Sequence, residues 1–122
     1  MLSVKNQEFN SSRISILTHI LENWQMNCLR NYGNTIINKR HLDKKLSEIY
    51  YYLYGTKINP NVLNKVSYSE KYNECFEVLK SNLKFLLNKE VNFRFSPSIF
   101  GWDADCYIIE TRLVIKEENK NV

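Results

Sequence analysis

A chain of 122 residues with 43% hydrophobic and 25% charged side chains is long enough for one buried core, too short for two, and far from the composition of a disordered tail. Its net charge of +4 falls well short of the strongly basic balance of a dedicated nucleic-acid binder. Its three glycines, Gly33, Gly55 and Gly101, are scattered and sit at predicted element ends, so no glycine-rich phosphate loop can be assembled.

No apolar core of a signal peptide is seen in Met1–Asn10, and no apolar run approaches the roughly 20 residues that cross a bilayer. The reading is a single cytoplasmic domain over 1–122, frayed at about 1–8 and 117–122, with no membrane partner. Cys28, Cys75 and Cys106 are odd in number and lack metal-ligand spacing, as expected of reduced and mostly buried thiols.

The first helix is predicted to start at Ser11 or Ser12. It carries Ile14, Leu17, Ile20, Leu21, Trp24, Cys28 and Tyr32 as one apolar stripe and stops at Gly33. A second helix from about Asn38 places Leu42, Leu46, Ile49 and Leu53 on one face and ends at Gly55, so that Gly33-Asn34 suggests the turn of a loose helix-turn-helix. Asn59-Pro60-Asn61 breaks the chain and starts a short helical turn through Val62 and Leu63. Ser67-Tyr68-Ser69-Glu70 has the form of a capping box, in which serine and glutamate satisfy each other's backbone donors. Tyr68, Tyr72, Cys75, Phe76, Leu79, Leu83 and Leu86 follow at helical spacing.

After Glu90 the period falls to two. Val91, Phe93 and Phe95 alternate with Asn92 and Arg94, Ser96-Pro97-Ser98 stops that strand, and a loop leads to a second strand with Tyr107, Ile109, Thr111, Leu113 and Ile115 on one face. The predicted fold is α+β, three main helices followed by a C-terminal antiparallel β-hairpin packed on them. The hairpin's outer edges stay open unless Leu2–Phe9 or another chain adds a strand, which leaves a homodimer through that edge as one use for it.

Two clusters carry candidate chemistry. Trp102, Asp103, Asp105 and Glu110 form an acidic and aromatic segment, in which two carboxylates at alternate positions of extended chain point to one side and oppose a cation or a basic partner. Lys39, Arg40, His41, Lys44 and Lys45 form a basic run at the start of the second helix, followed by Tyr50, Tyr51, Tyr52 and Tyr54. Such a pairing can grip a phosphate backbone, although the cations oppose the helix dipole and Asp43 interrupts the run.

Consecutive helical residues lie about 100° apart, so the four tyrosines cannot all face one core and some must be exposed, as interface anchors commonly are. No catalytic, cofactor-binding or metal-ligating motif occurs in the sequence, and none of those residue classes is assigned. The expected function is therefore a non-enzymatic protein-binding module. Its class is that of an inhibitor or immunity-type protein that neutralises a toxin or enzyme, with Trp102, Asp103, Asp105, Glu110, Tyr51, Tyr52 and Tyr54 at the contact. The alternative is a nucleic-acid-binding regulator using Lys39, Arg40, Lys44 and Lys45.

Overall fold

The computed structural model describes residues 21–97 and 105–114. It is a mixed fold of helices and one three-stranded antiparallel sheet, with elements α1 (Asn23–Tyr32), β1 (Asn34–Asn38), α2 (Lys39–Tyr54), α3 (Pro60–Leu63), a 3₁₀ turn (Val66–Tyr68), α4 (Ser69–Leu87), β2 (Glu90–Ser96) and β3 (Cys106–Arg112). The expected α+β class holds. The expected order of helices followed by an isolated hairpin does not, because β1 lies between α1 and α2 and the strands run β1-β3-β2 in space.

The helix-turn-helix reading fails at the same point. Gly33 adopts a left-handed conformation (φ 81°) that ends α1, and the next residue already pairs with β3. Asn34-Thr35-Ile36-Ile37 carries three β-branched residues in succession, which pack well on a pleated surface. The Gly33 carbonyl accepts from the backbone of Thr111 at 2.8 Å and from its hydroxyl at 3.0 Å, so one glycine both stops a helix and starts a strand.

Other local readings fare unevenly. α1 begins at Asn23 after an extended Glu22, so the predicted stripe is interrupted; α1 buries Gln25, Met26 and Leu29 and leaves Trp24 and Tyr32 exposed. The part of that predicted helix before Leu21 lies outside the described residues, as does Leu2–Phe9. The Ser67–Glu70 capping box does not form, because Val66–Tyr68 is a 3₁₀ turn and α4 begins at Ser69 with Tyr68 as its cap residue. By contrast α2 is capped by Asn38, whose side chain accepts from the Arg40 amide, and α3 by Asn59, which accepts from the Asn61 amide, with Pro60 at the first helical position.

In the antiparallel ladder the bonds from the Thr111 amide to Gly33 and from the Lys39 amide to Asp105 fix the odd-numbered residues of β3 as those that bond β1. The even-numbered ones therefore bond β2, and Val91, Phe93 and Phe95 of β2 direct their backbone groups to its outer edge. The same residues send their side chains to the core face with Thr35, Ile37, Tyr107, Ile109 and Thr111. There Leu42, Leu46 and Ile49 of α2 and Cys75, Leu79 and Leu83 of α4 join Ile37, Val91 and Ile109 in one buried cluster. Leu113 and Val114, expected to continue the strand, extend past the last paired residue and are exposed.

Phe76 of α4 meets Phe93 at 4.9 Å between ring centroids, and Tyr107 meets Phe95 at 5.4 Å, so an aromatic run crosses from helix to sheet end. A Cβ at Gly33 would meet Thr111 Oγ1 at an ordinary 3.5 Å, so a side chain there is opposed by backbone conformation and not by space. Gly33→Ala should lower the unfolding free energy by about 1 kcal/mol and Gly33→Asn by less, measured by urea unfolding. Equal losses in both variants would place the cost elsewhere.

Candidate functional site

Asp43 is 6% exposed, and its carboxylate accepts three side-chain hydrogen bonds. Oδ2 accepts from Lys39 Nζ at 3.1 Å, one turn earlier on α2, and from Asn64 Nδ2 at 3.0 Å, just past α3; Oδ1 accepts from the Tyr72 hydroxyl of α4 at 2.8 Å. Three elements meet on one carboxylate, and its charge is answered by the Lys39 ammonium. That contact also turns Lys39 away from the first turn of α2, where the dipole opposes a cation.

Burial first, and then the Asp43 carboxylate, hold the Tyr72 phenol far above its ordinary 10.0, because an ionised phenol beside that carboxylate would place two negative charges together. On the next turn, burial pushes the Cys75 thiol from 9.0 up to about 11, with Glu74 adding to the rise and Lys71 opposing it. Burial also raises Cys106, with Asp105 next to it contributing. None of Cys28, Cys75 and Cys106 is in a disulfide; Cys75 and Cys106 are buried and Cys28 is partly exposed.

Beside Asp43 lies a groove of about 850 Å³ between the start of α2 and the α3 region. Its charged lining is three cations, Lys39, Arg40 and Lys44, and three carboxylates, Asp43, Glu48 and Asp105, so it is formally neutral; Asn38, Asn59, Asn61 and Asn64 supply amides. Asp105 of the acidic segment therefore reaches the groove lined by Lys39, Arg40 and Lys44 of the basic run, where the Lys39 amide donates to its carbonyl at 2.9 Å. Lys45 projects elsewhere. It lines a smaller recess with His41, Trp24 and Glu22, and its ammonium lies 4.0 Å from Glu48.

The predicted contact residues do not form one patch. Trp102 and Asp103 lie outside the described residues. Glu110 sits in the central strand and pairs with Arg94 of β2 at 3.3 Å. Tyr51, Tyr52 and Tyr54 lie in the last turn and a half of α2, about 20 Å along the helix axis from the Asp105 contact at its first residue. Tyr51 is 50% exposed and Tyr54 39%, whereas Tyr52 is half-buried. The Tyr54 ring is held by Tyr50, 4.7 Å between centroids, and by Lys71 Nζ, 4.4 Å above its face.

Sequence reasoning passed over Asp43, Asn64 and Tyr72. The Lys39–Asp43 spacing of four is a visible signal of a helical ion pair, but the Tyr72 contact spans 29 positions and leaves no local mark. Among the described residues no helix is long and apolar enough to cross a membrane, and no group of three metal-ligating side chains converges. No protein-family model matches the chain, and no curated protein and no solved structure matches it at a significant level.

Asp43→Ala should cost about 2–4 kcal/mol, because it strands a phenol, an amide and a half-buried ammonium, whereas Tyr72→Phe removes one bond and should cost about 1 kcal/mol. Chemical denaturation of both variants checks this, and an Asp43→Ala loss no larger than that of Tyr72→Phe would refute the shared-carboxylate account. Tyr72 and Cys75 have folded-state values raised above their unfolded ones, so above about pH 9 the unfolded chain loses protons that the folded chain retains. Stability should be level below about pH 9 and fall as pH rises through 10 and 11, less steeply in Tyr72→Phe, when urea midpoints are followed against pH. A midpoint that rises in alkali would contradict it.

Proposed function

We propose that this protein acts by binding another protein, as a small inhibitor or immunity-type module that neutralises a toxin or an enzyme. The observation that carries this reading is the held aromatic surface at the end of α2. Tyr54 is partly exposed yet fixed between Tyr50 and Lys71, with Tyr51 exposed one turn before it. A tyrosine already fixed in place loses little rotamer freedom on docking, and large aromatic rings anchor protein interfaces for that reason.

The groove at the opposite end of α2 agrees with such a partner. Three cations balanced by three carboxylates and flanked by amides match the mixed polarity of a protein surface, and Asp105 at its margin offers an acceptor to a cation of the target. Trp102 and Asp103 precede Asp105 in the chain and belong to the same proposed contact; Glu110 contributes less, being engaged by Arg94.

The second reading, nucleic-acid binding through Lys39, Arg40, Lys44 and Lys45, is favoured by the exposure of Arg40 and Lys44 on one groove. Against it, Lys39 is committed to Asp43, Lys45 projects into a different recess, and a neutral groove gives a polyanion no net attraction.

Affinity purification of the tagged protein from its own cells, with and without nuclease, tests both. The expected result is one stoichiometric protein that survives nuclease. It should be lost with the double variant Tyr51→Ala/Tyr54→Ala, which should weaken the complex by at least about 2 kcal/mol, roughly 30-fold in Kd. Material that disappears on digestion, and whose binding falls steeply with salt and with Arg40→Ala/Lys44→Ala, would transfer the function to the nucleic-acid reading.

A further inference from the structure

The two edges of the sheet are treated differently. On β1 the even-numbered backbone groups point outward; the Ile36 carbonyl is taken by Gln25 Nε2 of α1 at 3.1 Å, and the chain turns at once into α2, capped by the Asn38 side chain. On β2 the outward groups belong to Val91, Phe93 and Phe95, and among the described residues nothing bonds to them. Natural edge strands are commonly blunted by lysine, proline or a bulge. β2 has none of these within it: its register runs unbroken from Glu90 opposite Arg112 to Ser96 opposite Cys106, and proline comes only at position 97.

The outer face of the same strand carries two exposed charges of opposite sign, Glu90 and Arg94, four residues apart. An antiparallel copy of β2 laid along this edge about a two-fold axis through Asn92 sets Glu90 opposite Arg94 of the second copy, and Arg94 opposite its Glu90. It also sets Val91 opposite Phe93, and those are the residues whose backbone groups point outward, so the hydrogen-bonded pairs of the new ladder fall where donors and acceptors are on offer. Moving the axis to Phe93 sets Arg94 opposite Asn92, and moving it to Arg94 sets two arginines face to face, so charge selects the first register. We propose that the protein forms a two-fold dimer by pairing β2 with β2 of a second copy, centred on Asn92, to give a continuous six-stranded sheet. Each arginine would then lie between Glu110 of its own chain and Glu90 of the other, and such a self-complementary contact closes without propagating.

Sedimentation of the purified full chain tests this with substitutions confined to exposed side chains, whose in-chain ion pairs at Lys84–Glu90 and Arg94–Glu110 carry little stability. The wild type should be dimeric at about 100 μM, and Arg94→Glu and Glu90→Arg should each weaken the dimer at least about tenfold in Kd while melting as folded proteins. Mixing the two variants should restore a dimer, because one chain then presents two arginines to two glutamates. In a Cys28→Ser background, Asn92→Cys should form an intermolecular disulfide on mild oxidation, since a non-hydrogen-bonded antiparallel pair brings its Cα atoms to about 4.5 Å, within the span of that bond; Arg94→Cys should not. A monomer at that concentration overturns the proposal, leaving the edge for a strand from a different protein. So does a dimer that ignores both charge reversals and is not trapped through Asn92→Cys.

Discussion

The buried carboxylate of Asp43 is the constraint on which the helical layer depends. A single side chain on α2 takes an ammonium from its own helix, an amide from the residue after α3 and a phenol from α4, so the relative placement of these elements is set by hydrogen-bond geometry as well as by apolar packing. Leucines tolerate sliding; a carboxylate with three donors does not. A charge so deep in the protein is sustained only because each oxygen is satisfied and a cation stands beside it. Tyr72 is held un-ionised in turn, by its burial first and by the bound carboxylate second.

From this tie the groove follows. Asp43 lines it, Asn38, Asn59, Asn61 and Asn64 supply its amides, and the run that the sequence groups together divides round the helix, with Lys39, Arg40 and Lys44 on the groove and His41 and Lys45 on a separate recess. Linear clustering of charge is therefore a poor guide to field. A run that reads as a phosphate-binding surface becomes, once Asp43, Glu48 and Asp105 stand beside it, part of a formally neutral depression.

What was legible in the sequence was whatever depends on neighbours three or four positions away. The apolar stripe of α2, its start near Asn38, the stops at Gly33 and Gly55, the helical turn begun by Asn59-Pro60 and the alternation of β2 all belong to that class. The S-x-x-E pattern at Ser67 misled because Ser67 lies within a 3₁₀ turn and the cap position of α4 falls one residue later, on Tyr68. The stripe assigned to the first helix misled because α1 begins only after an extended Glu22 and packs through Gln25, Met26 and Leu29, which leaves Trp24 and Tyr32 outward. β1 was hidden between two predicted helices; its β-branched run was the available sign, but a strand of five residues takes its stability from a partner far along the chain. The candidate site was legible in its residue types and not in its grouping, since Asp105 joins the basic helix only through that distant pairing.

Among the described strands β3 is the last along the chain and the middle one in space, and that inversion governs how the sheet is made. Among the described residues neither β1 nor β2 has a strand partner until β3 is present, and the bond that seats Gly33 on Thr111 closes a span of 78 residues. At ribosomal rates of about 5–20 residues per second, the helices have several seconds to form while the sheet has no template on which to assemble. During that interval the apolar faces of β1 and β2 must be sheltered by the helices alone, and the cooperative step of folding is deferred until synthesis has passed Arg112.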